Sequence, residues 1–182
     1  VDFFNTEFIN TMAEDFLNIT HSKFNIANSK FINCKSDAFD SDFSSGKIID
    51  SEFSMINGDA VDFSGSKVQI LSSKFNLIKD KAISAGEISE IYSKNNSFSN
   101  SKIAIASKDN SSVKVYNNSF LDSRLYDLSA FNKKSFYKKG GEIYLEDTND
   151  DVQLKMKSDL ISKIFVNGVK IKNEKFDLKE IY

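Results

Sequence analysis

Phenylalanine returns along this chain at an almost fixed interval: Phe8, Phe31, Phe53, Phe75, Phe98 and Phe120 are 23, 22, 22, 23 and 22 residues apart. Other positions keep the same beat. Seven residues before each Phe stand Val1, Phe24, Gly46, Val68, Ile91 and Val113, and five before it Phe3, Ile26, Ile48, Ile70, Ser93 and Val115. Three before it the chain has Asn5, Asn28, Asp50, Ser72, Asn95 and Asn117, small polar residues that bond within tight turns and tolerate unusual backbone angles. A further apolar column is Leu17, Phe39, Val61, Ile83 and Ile105, with Ile19, Ser41, Phe63, Ala85 and Ser107 two places on. Spacing of two within each segment is the period of a strand, and spacing of about 22 between segments is that of a repeat array.

A unit holding three short alternating strands cannot bury its apolar face alone and must stack on its neighbours. Leucine-rich repeats would need their leucine and asparagine spacing, and helical repeats a 3.6-residue period; neither is present. The reading is an all-β, right-handed parallel β-helix of about six to seven 22-residue coils over residues 1–132. Like residues of successive coils then lie about 4.8 Å apart. The chain contains no Pro, in keeping with central strands that need every ladder donor.

Several function classes fall away on composition. A net charge of -2 gives no electrostatic reason to expect nucleic acid. No apolar run approaches the roughly 18 residues of a membrane span. One cysteine, Cys34, makes no internal disulfide or multi-cysteine metal site and reads as a small buried hydrophobe. One histidine, His21, reads as a surface residue, which removes a histidine triad or zinc centre. The chain starts at Val1 inside a strand column, so further coils or a domain of the same polypeptide are expected upstream.

The stretch "NNSF" at Asn95–Phe98 and the later "AIASKDNSSVKVYNNSF" at Ala104–Phe120 resemble the right-handed parallel β-helix superfamily to which pectate lyases and their relatives belong. The resemblance covers roughly residues 1 to 130. It implies a secreted, periplasmic or cell-surface location and a polysaccharide partner lying along one sheet, with acidic residues that bind calcium or act as acid and base. Departures are clear: the chain has no Asn-Thr-Asp or Gly-His-Gly motif of polygalacturonases, no Asp-Pro-His-Asp signature of alginate epimerases, and no arginine in the expected groove.

Strict alternation about Val61 and Phe63 turns Phe16, Ala38, Ala60, Ala82 and Ala104 outward as a strip, beside a second outer column of Asn18, Asp40, Asp62, Ser84 and Ala106. Charged residues border the strip, and stacked Asp40 and Asp62 should repel unless a cation, a lysine or a proton intervenes. The expected groove therefore assigns catalytic roles to Asp62, Lys81, Glu87 and Lys108, and substrate binding to Asp40, Asp59, Ser84 and Asp109. The resemblance implies calcium on Asp37, Asp40, Asp59 and Asp62, an ion that takes six to eight oxygens. In a lyase or epimerase, Lys81 or Lys108 would stabilise developing charge. A solenoid also lines up whatever charges its turns contain, so a merely solvated face is the competing reading.

After Phe120 the repeat weakens, with Leu128 and Ala130 suited to a seventh coil. Residues 133–182 read as a C-terminal cap with strands at Ile143 and Leu145 and at Val152, Leu154 and Met156. In "IFVNGVKIK", Asn167 and Gly168 mark a hairpin turn. Two functions remain: cleavage or epimerisation of an extracellular or envelope polysaccharide, or a non-catalytic glycan-binding or structural module of a larger surface protein.

Overall fold

The computed structural model describes residues 1–146 and 153–182, and its chain winds as a parallel β-solenoid of about seven turns. Three sheets run its length among the described residues. The first contains Asp2–Phe4, Lys23–Ala27, Ser45–Ile49, Lys67–Leu71, Glu90–Lys94 and Ser112–Tyr116, each parallel to the next. The second runs from Glu7–Thr11 through Glu52–Ile56 and Lys74–Ile78 to Ser119–Leu121. The third begins at Asp15–Thr20 and climbs through Asp37–Asp42, Val61–Ser64, Lys81–Gly86, Ile103–Lys108 and Tyr126–Phe131.

The phenylalanine column forms the spine of the core. Phe8, Phe31, Phe53, Phe75, Phe98 and Phe120 stack in order with ring centroids 4.4, 4.7, 5.0, 5.0 and 5.3 Å apart, and neighbouring planes are within 13°. That separation is the strand spacing itself, so in-register pairing brings the rings into contact. The turn column behaves as its chemistry demands: Asn5, Asn28, Asp50, Ser72, Asn95 and Asn117 all have positive φ, between 47° and 57°. Cys34 is fully buried beside Ile56 in the next coil, and burial pushes its thiol up to about 11.

Two buried polar ladders satisfy the coil corners. The backbone N–H of Ser22, Ser44, Ser66 and Ser89 each donates to the Oγ of the next coil's serine, ending at Ser111. A parallel ladder runs from Thr6 through Ser29, Ser51, Ser73 and Asn96 to Asn118. Buried backbone donors have to be paired, and these short side chains do it without filling the core.

The sheets continue past residue 132. Glu142–Glu146 and Lys163–Val166 extend the first sheet in parallel register, and Met156–Ser158 extends the third. The cap is thus built partly as further rungs, with Leu154 and Met156 against the core; Val152 lies outside the described residues. Leu128 and Ala130 are fully buried on Tyr126–Phe131, the sixth strand of the third sheet, so they complete the sixth coil; the seventh is formed by Glu142–Glu146 and Met156–Ser158. Asn167 and Gly168, at φ 47° and 79°, turn Lys163–Val166 back onto Val169–Lys170 as an antiparallel hairpin. No described helix is long and apolar enough to cross a membrane.

Candidate functional site

The outer face of the third sheet carries the residues expected to act, but its floor differs from the expectation. Ala38, Ala60, Ala82 and Ala104 are completely buried in the core, and Phe16 packs edge-on against Phe8 and Phe31. Strict alternation fails locally: Ala38 and Phe39, like Ala60 and Val61, are both buried although consecutive, and the ladder between Asp15–Thr20 and Asp37–Asp42 skips the Phe16–Ala38 pair. The alanine strip is therefore core, and the preceding column of Asp15, Asp37, Asp59 and Lys81 takes the outer side.

At this corner the aspartates act as ladder residues. Asp37 Oδ1 accepts the N–H of Asp59 at 2.7 Å, and Asp59 Oδ1 accepts the N–H of Lys81 at 2.9 Å. Lys81 is only 2% exposed, with its ammonium 2.6 Å from Asp80 and 3.3 Å from Asp59. Burial works against its charge, but Asp59 and Asp80 outweigh that and hold its pKa above the ordinary lysine value. Burial also pushes the Asp59 carboxyl up, to about 7, against the pull of Lys81.

A second buried pair lies beside it. The Lys108 ammonium donates to Ser84 Oγ at 2.7 Å and sits 3.6 Å from Asp62 Oδ1. For Asp62 burial is opposed by Lys108, the Ser84 hydroxyl and Lys81, which together hold its carboxyl below the usual range. Asp40 stands directly opposite Asp62 in the ladder. The expected repulsion is met in two ways: Asp62 takes a lysine, while Asp40 accepts from Asn18 at 3.1 Å and holds a proton more tightly. Burial, then Asp42 and Asp62, raise Asp40 to about 7.

Of the expected set, Asp37, Asp59, Asp62, Lys81, Ser84 and Lys108 are brought together. Asp40 borders them, and Glu87 and Asp109 serve elsewhere. Glu87 pairs with Lys134 and accepts from Ser64. Asp109 is buried and accepts the N–H groups of Lys133 and Lys134, fixing the start of the cap. The lysines expected to be solvent-facing are enclosed instead, which removes both as free cations for a sugar carboxylate.

The carboxylates of Asp37, Asp59 and Asp62 converge within 4.8 Å of one another, and Asp40 does not join them. This trio does not fit calcium as it stands. Asp37 Oδ1 and Asp59 Oδ1 each hold a backbone N–H, and the ammonium groups of Lys81 and Lys108 already supply the counter-charge.

Sequence reasoning missed what covers this face. The C-terminal segment folds over the later coils: Phe176, Leu178 and Ile181 pack on Ile103, Ala106 and Phe131, and Phe131 stacks on Phe176 at 5.0 Å. Lys102 donates to the carbonyl of Ile181. The Tyr182 ring lies 4.9 Å from the Lys81 ammonium and 4.5 Å from that of Lys133. Outward apolar residues at Ile103 and Ala106 were the available signal, because an open sheet face has no use for them. What stays open is the earlier part of the face, where Asn18 and Asp40, and Thr20 and Asp42, stand in adjacent columns.

No protein-family model and no curated protein matches this chain.

Proposed function

We propose that the chain is a non-catalytic module that binds an extended, hydroxyl-rich sugar chain along the open part of the third sheet. One observation carries this reading: Lys81 and Lys108 are consumed in buried ion pairs, while Asn18, Thr20, Asp40 and Asp42 form a polar strip outside the C-terminal cover, in which Thr20 donates to Asn18 and Asn18 to Asp40 and the remaining carboxyl oxygens of Asp40 and Asp42 can accept. Carboxylate and amide oxygens accept hydrogen bonds from sugar hydroxyls, and in-register coils repeat those acceptors about every 4.8 Å along the polymer. The resemblance of "NNSF" and its repeat to the pectate-lyase-like superfamily supports a polysaccharide partner and an extracellular or envelope setting.

Binding to a panel of neutral polysaccharides, followed by calorimetry, tests the reading. Asp40→Ala with Asp42→Ala should weaken binding at least tenfold while the far-ultraviolet spectrum is unchanged; undiminished binding overturns it.

A hydrolase is the second reading, favoured by one observation. Carboxylate oxygens of Asp59 and Asp62 lie within 4.8 Å of each other, a pairing of two carboxyls such as retaining glycosidases use. Release of reducing ends by the unaltered protein, lost in Asp62→Asn, would establish it over the binding module.

A further inference from the structure

The first sheet presents a different surface. A groove of about 950 Å³ crosses the outer side of its strands, lined by Lys23, Lys47, Lys67 and Lys114 together with Asn25, Gln69 and Tyr92. Lys23, Lys47 and Lys67 come from three consecutive coils, in two adjacent columns. With Lys114 the groove holds four lysines over five coils spaced about 4.8 Å apart, the coil between Lys67 and Lys114 contributing Glu90 instead. Lys67 pairs with Glu90 at 2.8 Å, whereas Lys23, Lys47 and Lys114 meet no carboxylate within 4.0 Å among the described residues. The third sheet's open face carries Asp15, Asp37, Asp40 and Asp42, so a chain of small net charge has oppositely charged sides.

We infer that this groove is a second binding site, and that its ligand is an acidic polysaccharide carrying one carboxylate on each or every other sugar. Charge complementarity selects a linear polyanion. The amides and the ring select a sugar: Asn25 lines the groove directly opposite Lys47 of the next coil, where an amide can exchange hydrogen bonds with sugar hydroxyls. Gln69 is exposed one coil before Tyr92 in the same column, and Tyr92 packs 5.2 Å from Tyr116 to offer a part-apolar face. Nucleic acid is the poorer fit, because the groove lacks the arginine that grips phosphate bidentately.

Affinity electrophoresis and calorimetry with polygalacturonate, neutral dextran, polyphosphate and single-stranded DNA test the site. The unaltered protein should bind polygalacturonate with an affinity that falls as salt rises. Lys47→Gln with Lys114→Gln should cost tenfold or more, and Tyr92→Ala should weaken the polyuronate but not polyphosphate. Asp40→Ala with Asp42→Ala should leave polygalacturonate binding intact, which separates this site from that on the third sheet. Retained affinity in the lysine variant overturns the inference, as does equal or tighter binding of DNA or polyphosphate. So does sedimentation showing that the lysines instead hold the acidic face of a second copy.

Discussion

One carboxylate oxygen of Asp59 receives the backbone N–H of Lys81 at 2.9 Å and lies 3.3 Å from the ammonium of the same residue. The coil ladder and the buried ion pair are thus a single structure. Lys81→Ala should strand Asp59 and Asp80 without their cation, at a cost of about 3–5 kcal/mol. Asp59→Asn combined with Lys81→Met should cost much less, because no unpaired charge stays buried. Urea denaturation of the three proteins checks this; a single variant as stable as the parent would show that the pair is solvated.

Phe75 stacks on Phe53 and Phe98, both at 5.0 Å, and is 1% exposed. Phe75→Ala should destabilise by about 3–5 kcal/mol through lost transfer energy and the cavity left in the ladder. A denaturation midpoint within error of the parent would contradict the stacked core.

These two sites differ in how far sequence discloses them. The phenylalanine ladder was legible because a 22-residue period and a two-residue alternation both follow from strand geometry. Alternation misplaces the alanine column for the same reason: it assumes a regular ladder, and at Ala38–Phe39 the pairing skips a residue and two consecutive side chains are buried. The aspartates were identifiable as a group. The cover over them is not legible, since Tyr182 reaches Lys81 through a long-range fold-back that no local pattern encodes.

Ser51 Oγ accepts the N–H of Ser29 at 3.2 Å and donates to the carbonyl of Ile49 at 2.9 Å, all at a buried corner. Ser51→Ala should leave a buried donor unpaired and cost about 1–3 kcal/mol. Hydrogen exchange offers a local check: the Ser29 amide should lose protection well beyond the global change in stability.

Asp40 predicts a pH dependence. Its carboxyl is raised from 3.8 to about 7 by burial and by Asp42, Asp62 and Asp15, so the folded state binds more protons than the unfolded state between those values. Stability from this group is full below pH 3.8 and is lost as pH rises through about 7. Solvent screening on a partly exposed group reduces the effect to about 1–2 kcal/mol. Asp40→Asn should therefore be more stable than the parent at pH 8 and show a flatter profile from pH 4 to 7. Identical pH profiles of melting temperature would refute the assignment.

The C-terminal segment should detach without unfolding the coils beneath it. Ile181 is 1% exposed against Ile103, Ala106 and Phe131, but that apolar cluster is small, and the rest of the attachment is polar: Lys102 to the Ile181 carbonyl, Tyr126 and Lys157 to Glu180, Asn173 to Ser158, Asp159 and Ser162, and the Tyr182 ring against Lys81 and Lys133. A segment with so few buried contacts opens locally at a free energy below that of global unfolding. Truncating an isoleucine costs about 2–5 kcal/mol, enough to raise the open population more than tenfold. Ile181→Ala should accordingly speed trypsin cleavage at Lys172 and Lys175 by at least that factor. Acetylation of Lys133, freed from the Tyr182 ring, should rise in parallel, while exchange protection at Phe53 and Phe75 stays unchanged. If cleavage accelerates only in step with global unfolding, the segment is an integral part of the cooperative core and not a separable cover over the third sheet.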